Sequence, residues 1–153
     1  RPPPHRRRWQ NAVGYVSQHV FLLDGTLLEN IALGEEEAKI DRRKAEESLR
    51  AARLEGFVQS LSAGIDTPIG EAGNKLSGGQ RQRIGIARAL YKQANILFFD
   101  EATSALDSGT EEGINRSIAE LSQHNRDLTI VVIAHRESSL EYCDRIITLD
   151  NNG

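Results

Sequence analysis

The sequence lacks methionine entirely and has a single cysteine, Cys143, among its 153 residues. One thiol cannot form an internal disulfide, and the residues around Cys143 show no Cys-x-x-Cys or histidine spacing that would suggest a metal site. No apolar run approaches the roughly 20 residues that a transmembrane helix needs, and the first residues lack the apolar stretch of a signal peptide. We therefore expect a reducing, cytosolic setting, with any membrane role supplied by a partner or a further segment.

The chain also has little net charge, with a formal value of -3 at pH 7. This balance argues against a general nucleic-acid-binding surface, so no nucleic acid is expected as a partner, although residues 1–8 are rich in arginine and proline. Because proline fixes φ and removes a backbone donor, residues 1–8 have no helix or strand pattern and are interpreted as a linker or as foreign to the native sequence. A chain that begins at Arg1 without methionine is expected to be an internal piece of a longer protein.

What the chain does contain is enough apolar sequence for the core of one domain. Residues 12–17 form a short β-like run, and residues 96–99 and 129–134 are continuously apolar, which is typical of strands buried on both faces of a parallel sheet. A last strand is predicted over residues 145–149. Since helical patterns alternate with these strands, the predicted fold is α/β with a parallel sheet, and ligands are expected beyond the carboxyl ends of its strands.

Helical patterns occupy the stretches between these strands. Residues 35–53 are charged and strongly helix-forming, with Asp41 as a plausible N-cap, and residues 55–61 predict a second short helix before a loop at residues 64–73. From Gly78 onward, apolar residues recur every three or four positions, which predicts a helix buried on one side. The apolar positions of this helix and of a later amphipathic helix are Ile84, Ala87, Tyr91, Ile114, Ile118 and Leu121.

The most specific stretch is the pentapeptide Leu-Ser-Gly-Gly-Gln at residues 76–80, directly before that helix. Gly78 and Gly79 let backbone amides approach an anion closely, Ser77 can cap the helix or donate a hydrogen bond, and the helix N-terminus adds a positive dipole. Together with Gln80, these residues predict a phosphate-binding surface. Taken alone, the same stretch would be a simple turn before a helix.

Residues 76–80 resemble the signature motif of ATP-binding-cassette (ABC) ATPases, and the motifs around them occur in that family's order. The resemblance covers nearly the whole chain from about Trp9. It implies a partial ABC ATPase domain over residues 9–153, with the parallel sheet of a RecA-like P-loop NTPase and a helical signature subdomain over about residues 30–90. It also implies ATP and Mg²⁺ as the ligands of the site.

Residues 96–101, Ile-Leu-Phe-Phe-Asp-Glu, resemble the family's Walker B strand with its catalytic glutamate. The resemblance implies that Asp100 holds magnesium, directly or through water, since this hard ion prefers oxygen ligands. Glu101 would then polarise the hydrolytic water as a general base. Acidic residues that close an apolar strand are often only a solvated strand end, so the catalytic interpretation depends on the signature motif.

Two further polar residues resemble family positions at the ends of predicted strands. Gln18 follows the first strand and resembles the Q-loop glutamine, which contacts the metal and the attacking water and faces the membrane domain. His135 follows the strand at 129–134 and resembles the switch histidine, whose imidazole can donate a hydrogen bond to the γ-phosphate. Standing alone, Gln18 would be a solvated loop residue and His135 a structural one.

Three loops resemble family segments that contact partners. Residues 104–107, Ser-Ala-Leu-Asp, resemble the D-loop, which implies that Asp107 links two nucleotide sites across a dimer, although the same residues also fit a helix cap and turn. Residues 21–34 resemble the segment after the Q-loop of exporters. Residues 70–73 resemble the exporter X-loop, in which Glu71 would touch the transmembrane partner; a glycine-rich turn is the alternative there.

One family motif is absent from the sequence, since no Gly-x-x-x-x-Gly-Lys-Ser/Thr occurs in it. The amides and the lysine of that Walker A loop hold the β- and γ-phosphates, so the chain is expected to bind ATP poorly by itself. We therefore expect a chain cut off upstream of its Q-loop, in which the isolated fragment is inactive and the parent protein is an active ATPase.

The resemblance implies an ATPase that powers an exporter at the cytoplasmic face of the inner membrane. Its partners would be a second nucleotide-binding domain and the transmembrane domains of the transporter. One alternative is an ATPase of the chromosome-maintenance or DNA-repair branch, which would need a long coiled-coil insertion between Gln18 and Ser77, where only a short helical segment lies. Another alternative is a non-hydrolytic module or a degenerate remnant, which the missing loop allows for the fragment.

Overall fold

A computed structural model describes most of the chain and shows an α/β arrangement. The described residues are 13–17, 19–70, 75–100, 116, 118–125, 127–134, 141 and 143–149. Their elements, in chain order, are β1 (Val13–Val16), β2 (Gly25–Thr26), α1 (Leu27–Ile31), α2 (Arg42–Ala51), α3 (Glu55–Ser60), β3 (Pro68–Ile69), α4 (Gly78–Tyr91), β4 (Ile96–Asp100) and β5 (Thr129–Ile133). Single 3₁₀ turns cover Glu37–Lys39 and Gly64–Asp66, and residues 118–124 lie in a further helix.

Strands β1, β4 and β5 form one sheet in the order β1-β4-β5, and both strand pairs are parallel. In the register of this sheet, Val16 lies opposite Phe99, and Phe99 lies opposite Val132. The three predicted core strands and the parallel α/β fold are therefore confirmed. Because the strands run parallel, their carboxyl ends meet at one edge, and Asp100 is the last residue of β4 at that edge.

One face of the sheet packs against α4. Side chains alternate between the two faces along a strand, and the face toward α4 carries the buried Val16, Leu97 and Phe99. Strand and helix approach each other closely at Gly14, where an added Cβ would lie 2.6 Å from the Ala89 Cβ. This close approach fixes the distance between the sheet and the helix that begins within the pentapeptide at residues 76–80.

The opposite face of the sheet is largely exposed, which corrects the prediction that both faces are buried. Tyr15, Val131 and Ile133 on that face are 61%, 38% and 44% exposed. The prediction came from continuously apolar sequence, and such a pattern does not say whether a second layer covers the sheet. In the part of the chain that the structure describes, α4 packs on one face and these three side chains stay accessible on the other.

Two short segments differ from the predicted pattern. Pro68–Ile69 forms β3, antiparallel to the distant β2, where the sequence predicted a loop. Residues 145–149 do not form the predicted last strand, and Ile147 and Leu149 are 71% and 90% exposed. Both differences have one cause, because a strand forms only where a second segment offers backbone partners. Strand β3 has β2 as its partner, whereas residues 145–149 pair with no described strand.

The helices confirm most of the local predictions. Asp41 caps α2 as predicted, since its side chain accepts a hydrogen bond from the Lys44 N–H at 3.1 Å. The helix begins at Arg42 rather than at residue 35, because the charged stretch before Asp41 forms a 3₁₀ turn. The short helix predicted at residues 55–61 is α3. The predicted buried positions that the structure describes are Ile84, Ala87, Tyr91, Ile118 and Leu121, and all five are buried.

Replacing Gly14 by alanine should lower the free energy of unfolding by about 1 to 3 kcal/mol, the usual range for overpacking. The added methyl group would lie 2.6 Å from the Ala89 Cβ and 2.9 Å from the Leu97 Cδ2, closer than van der Waals contact allows. Denaturant titration of both proteins measures the change.

The matched control for this substitution is Gly56→Ala in α3, where an added Cβ meets nothing within 4 Å. Alanine in a helix is favoured over glycine by about 0.5 to 1 kcal/mol, so Gly56→Ala should leave stability unchanged or raise it slightly. Equal stability of the Gly14→Ala protein and the unsubstituted protein would contradict the close packing of β1 on α4.

Candidate functional site

The amino end of α4 is closed by a reciprocal cap between Ser77 and Gln80. The Ser77 Oγ accepts a hydrogen bond from the Gln80 N–H at 3.1 Å, and the Gln80 Oε1 accepts one from the Ser77 N–H at 2.9 Å. This is a capping box, in which two side chains accept hydrogen bonds from two backbone N–H groups that would otherwise lack partners at the helix end. Of the two roles that the sequence allowed for Ser77, capping of the helix is the one that the structure shows, with Gln80 as its partner.

The cap leaves two backbone donors at the helix end for an external group. The first four N–H groups of a helix lack intrahelical acceptors, and here those of Ser77 and Gln80 are taken by the cap. The N–H groups of Gly78 and Gly79 remain, with Gly78 exposed and Gly79 buried. The exposed Ser77 hydroxyl accepts in the cap, so its own proton is still available to a ligand. This surface suits an anion, because the N–H donors and the positive end of the helix dipole both attract negative charge.

Asp100 at the carboxyl end of β4 is held by a tyrosine from the neighbouring strand. The Tyr15 hydroxyl donates a hydrogen bond to the Asp100 Oδ2 at 2.9 Å. Tyr15 pairs with Phe98 across the sheet, and Asp100 lies two residues further along β4, so both side chains share the exposed face. This hydrogen bond, followed by desolvation, raises the pKa of Tyr15 above its usual value, so the hydroxyl, which is protonated at neutral pH in any case, becomes harder to deprotonate.

The chemistry of Asp100 fits a magnesium ion that is shared with a nucleotide. Within the ranges that the structure describes, no three His, Cys, Asp or Glu side chains come close enough together to hold a metal ion. Magnesium usually takes only one or two carboxylates and completes its shell with phosphate oxygens and water. The single half-buried carboxylate at the sheet edge is therefore enough for magnesium. A metal that is coordinated by protein side chains alone would need more ligands.

The segment after β1 is tied to α4 through the buried amide of Asn30. This side chain is fully buried; it donates to the carbonyl oxygens of Leu23 at 2.9 Å and Thr26 at 3.0 Å, and accepts from the Leu23 N–H at 2.8 Å. Arg88 on α4 donates to the Asn30 Oδ1 at 3.0 Å and to the Asn30 carbonyl oxygen at 2.6 Å. Burial lowers the pKa of Arg88, although a guanidinium stays charged at neutral pH. Through Asn30, these contacts connect Leu23 and Thr26 to α4.

The sequence prediction missed Tyr15, Asn30 and Arg88 as parts of this arrangement. A signal for Asn30 was present, since its amide lies between Leu27, Leu28 and Ile31 in a short helical segment, where a polar side chain must be satisfied once buried. No comparable signal marks Tyr15, because a tyrosine in a strand is usual.

Other residues that the sequence singles out lie outside the described part of the chain. They are Gln18, Glu71, Glu101, Asp107 and His135. Among the described residues, the cap at Ser77 and the carboxylate of Asp100 are separate groups, with no hydrogen bond or ion pair joining them. The same part of the chain contains no helix with the length and apolar character needed to cross a membrane.

A family model described as ABC transporter matches residues 2–104 of the chain. The chain is 47% identical over 146 residues to an ATP-dependent lipid A-core flippase of Cupriavidus pinatubonensis (strain JMP 134 / LMG 1197), a match that covers 95% of this chain and 24% of the flippase. An ATP-dependent lipid A-core flippase of Coxiella burnetii (strain RSA 493 / Nine Mile phase I) is 48% identical over 141 residues, with 92% of this chain and 23% of the flippase covered. The chain thus spans about a quarter of the length of these relatives.

A solved structure of a bacterial Atm1-family ABC exporter with ATP bound is also similar to the chain. The two superpose with a TM-score of 0.65 at 40% sequence identity, over 86% of this chain and 22% of the exporter chain. The family model and the solved structure therefore both relate this chain to ABC proteins.

Proposed function

The chain belongs to the ABC transporter family, and on that basis we propose that it acts as the ATP-hydrolysing, nucleotide-binding domain of an exporter. The family resemblance that the sequence motifs indicated is confirmed by the match over residues 2–104. The chromosome-maintenance alternative loses support, because the described stretch between Ser17 and Ser77 contains short helices, of which α2 is the longest at 10 residues. A coiled-coil insertion would need much longer helices there.

The observation that supports the proposal most is the amino end of α4. Its exposed Ser77 hydroxyl and the N–H groups of Gly78 and Gly79 suit a terminal phosphate. In the proposed assembly two copies pair head to tail, and each presents this surface to the ATP held by the other copy.

The proposed chemistry is the transfer of the γ-phosphoryl group of ATP to water. Magnesium supplies positive charge to the phosphates, and Asp100 would hold it directly or through water. Glu101 accepts the proton of the attacking water as the bond between the γ-phosphorus and the bridging oxygen breaks and ADP leaves. Gln18 and His135 position the water and the γ-phosphate, and Asp107 links the two sites across the dimer.

The proposed partners in the membrane are the transmembrane domains of the transporter, with the chain at the cytoplasmic face of the inner membrane. Phe21 and Leu23, in the segment that resembles the exporter region after the Q-loop, are 70% and 40% exposed. Large apolar side chains on a fixed, exposed segment suit contact with another protein. Asn30 binds both backbone groups of Leu23 within this segment.

Replacing Ser77 by alanine in the complete protein should lower Mg²⁺-dependent ATP turnover about tenfold or more. The substitution removes one hydroxyl donor from the phosphate surface, and the loss of a single donor at such a site typically slows catalysis by about 10²-fold when water cannot replace it. It also removes the cap on α4, which should destabilise the protein by about 1 kcal/mol. Steady-state ATP hydrolysis and thermal unfolding measure the two effects separately.

The control for this prediction is Asp41→Ala, which removes the cap of α2 and its hydrogen bond to the Lys44 N–H at 3.1 Å. This substitution should destabilise the protein by a similar amount and leave turnover near its original value. If both variants lost activity to the same extent, Ser77 would be acting through helix stability alone. Unchanged turnover in Ser77→Ala would contradict the placement of phosphate at α4.

A further inference from the structure

The hydrogen bond between Tyr15 and Asp100 joins residues 85 positions apart, at the point where two parallel strands end. Neither the family motifs nor the proposed chemistry assigns a role to Tyr15. Its ring lies on the face that α4 does not cover, and its hydroxyl reaches along the sheet to the Oδ2 of Asp100 at 2.9 Å.

Stabilisation of the sheet does not by itself explain why Tyr15 donates a hydrogen bond to Asp100. Tyr15 is 61% exposed, whereas Tyr91, which also donates to a carboxylate, is 1% exposed and belongs to the core. Because the Tyr15 ring buries little apolar area, it adds little to the stability of the sheet. What it does supply is an oriented donor to the carboxylate that ends β4.

We propose that Tyr15 is a positioning residue for the metal, which holds the Asp100 carboxylate in one orientation through Oδ2 and leaves Oδ1 facing a nucleotide-bound divalent cation. The inference rests on the proposed function, in which Asp100 holds magnesium. The terminal torsion of an aspartate is broad, so an unheld carboxylate samples many orientations. A donor that fixes one oxygen reduces that freedom before the metal arrives, as the hydrogen-bond partners of metal ligands do at other sites.

The test is Tyr15→Phe in the complete protein, with Mn²⁺ as the probe and a non-hydrolysable ATP analogue bound. Loss of a partner of a metal ligand typically weakens metal binding about 10- to 100-fold, and the exposure of this pair to water places the expected effect at or below the lower limit of that range. We expect the Kd for Mn²⁺, measured by electron paramagnetic resonance, to rise about three- to tenfold. In ATP hydrolysis the apparent KM for Mg²⁺ should rise, with kcat at saturating Mg²⁺ nearly unchanged.

The matched control is Tyr91→Phe, which removes the same atom from a tyrosine that donates to the Glu35 carboxylate at 2.6 Å. Tyr91→Phe should lower stability and leave the Kd for Mn²⁺ unaltered. An unchanged Kd in Tyr15→Phe would overturn the inference, because the hydroxyl would then have no part in metal binding. A lower Kd would overturn it as well, since the hydroxyl would be competing with the metal for the carboxylate.

A third variant separates the failure of this inference from the failure of the proposed function. Asp100→Asn should weaken Mn²⁺ binding more strongly than Tyr15→Phe does, because the amide carries no negative charge. If Asp100→Asn left the Kd unaltered, the magnesium role proposed for Asp100 would itself be wrong. If Asp100→Asn weakened binding and Tyr15→Phe did not, only the role of Tyr15 would fail.

Discussion

Replacing Glu101 by glutamine in the complete protein should lower Mg²⁺-dependent ATP turnover by about a hundredfold or more. General-base catalysis by a positioned side chain contributes about 10²- to 10⁴-fold to a rate, and an amide cannot accept the proton of the attacking water. Glutamine has nearly the shape of glutamate, so binding of ATP should persist. Turnover at saturating ATP, together with the Kd for ATP, distinguishes loss of chemistry from loss of binding.

The control for this substitution is Glu47→Gln on α2. Glu47 pairs with Arg43 at 3.2 Å in a highly exposed ion pair, and such pairs contribute less than about 1 kcal/mol to stability. The Glu47→Gln protein should therefore hydrolyse ATP at the original rate. Intact turnover in Glu101→Gln would contradict the assignment of Glu101 as the base, whatever the control shows.

Replacing Asn30 by alanine should lower the free energy of unfolding by about 3 kcal/mol or more, because several buried polar groups lose their hydrogen bonds at once. The change would leave the N–H and carbonyl groups of Leu23 without their partner, and the half-buried guanidinium of Arg88 without one of its acceptors. Each buried polar group that loses its hydrogen bond costs about 1 to 3 kcal/mol. Denaturant titration of both proteins measures the total decrease in the free energy of unfolding.

The control for Asn30→Ala is Asn125→Ala. The exposed side chain of Asn125 donates one hydrogen bond, to the Leu121 carbonyl oxygen at 3.1 Å, so its loss should cost less than about 1 kcal/mol. Similar small effects of both substitutions would mean that water or neighbouring groups satisfy the partners of Asn30. The network would then not be what fixes residues 21–26.

Local features of the fold could be predicted from the sequence because their physical causes are local. Ser77 and Asp41 were both predicted as caps, since a capping side chain bonds to a backbone group only three positions away. The strand at residues 96–100 was predicted because its apolar run and its acidic end are contiguous. The buried side of α4 followed from the spacing of apolar residues.

Features that depend on distant partners could not be predicted in the same way. Arg88 and Asn30 are 58 positions apart, and Tyr15 and Asp100 are 85 positions apart. Apolar spacing shows which side of an element is buried, but it does not show which polar groups will meet. The same limit explains the two errors in strand prediction, since β3 depends on β2 and residues 145–149 have no described partner.

The bond between Asn30 and Arg88 also has a consequence for motion. A surface loop ordinarily opens on its own, at a low free energy that is independent of the rest of the domain. Residues 21–26 are held more firmly, because separating the Leu23 backbone from Asn30 breaks two hydrogen bonds and leaves polar atoms of a buried amide without those partners. Since Arg88 of α4 also binds this amide, opening of the segment should require more free energy than opening of an ordinary surface loop.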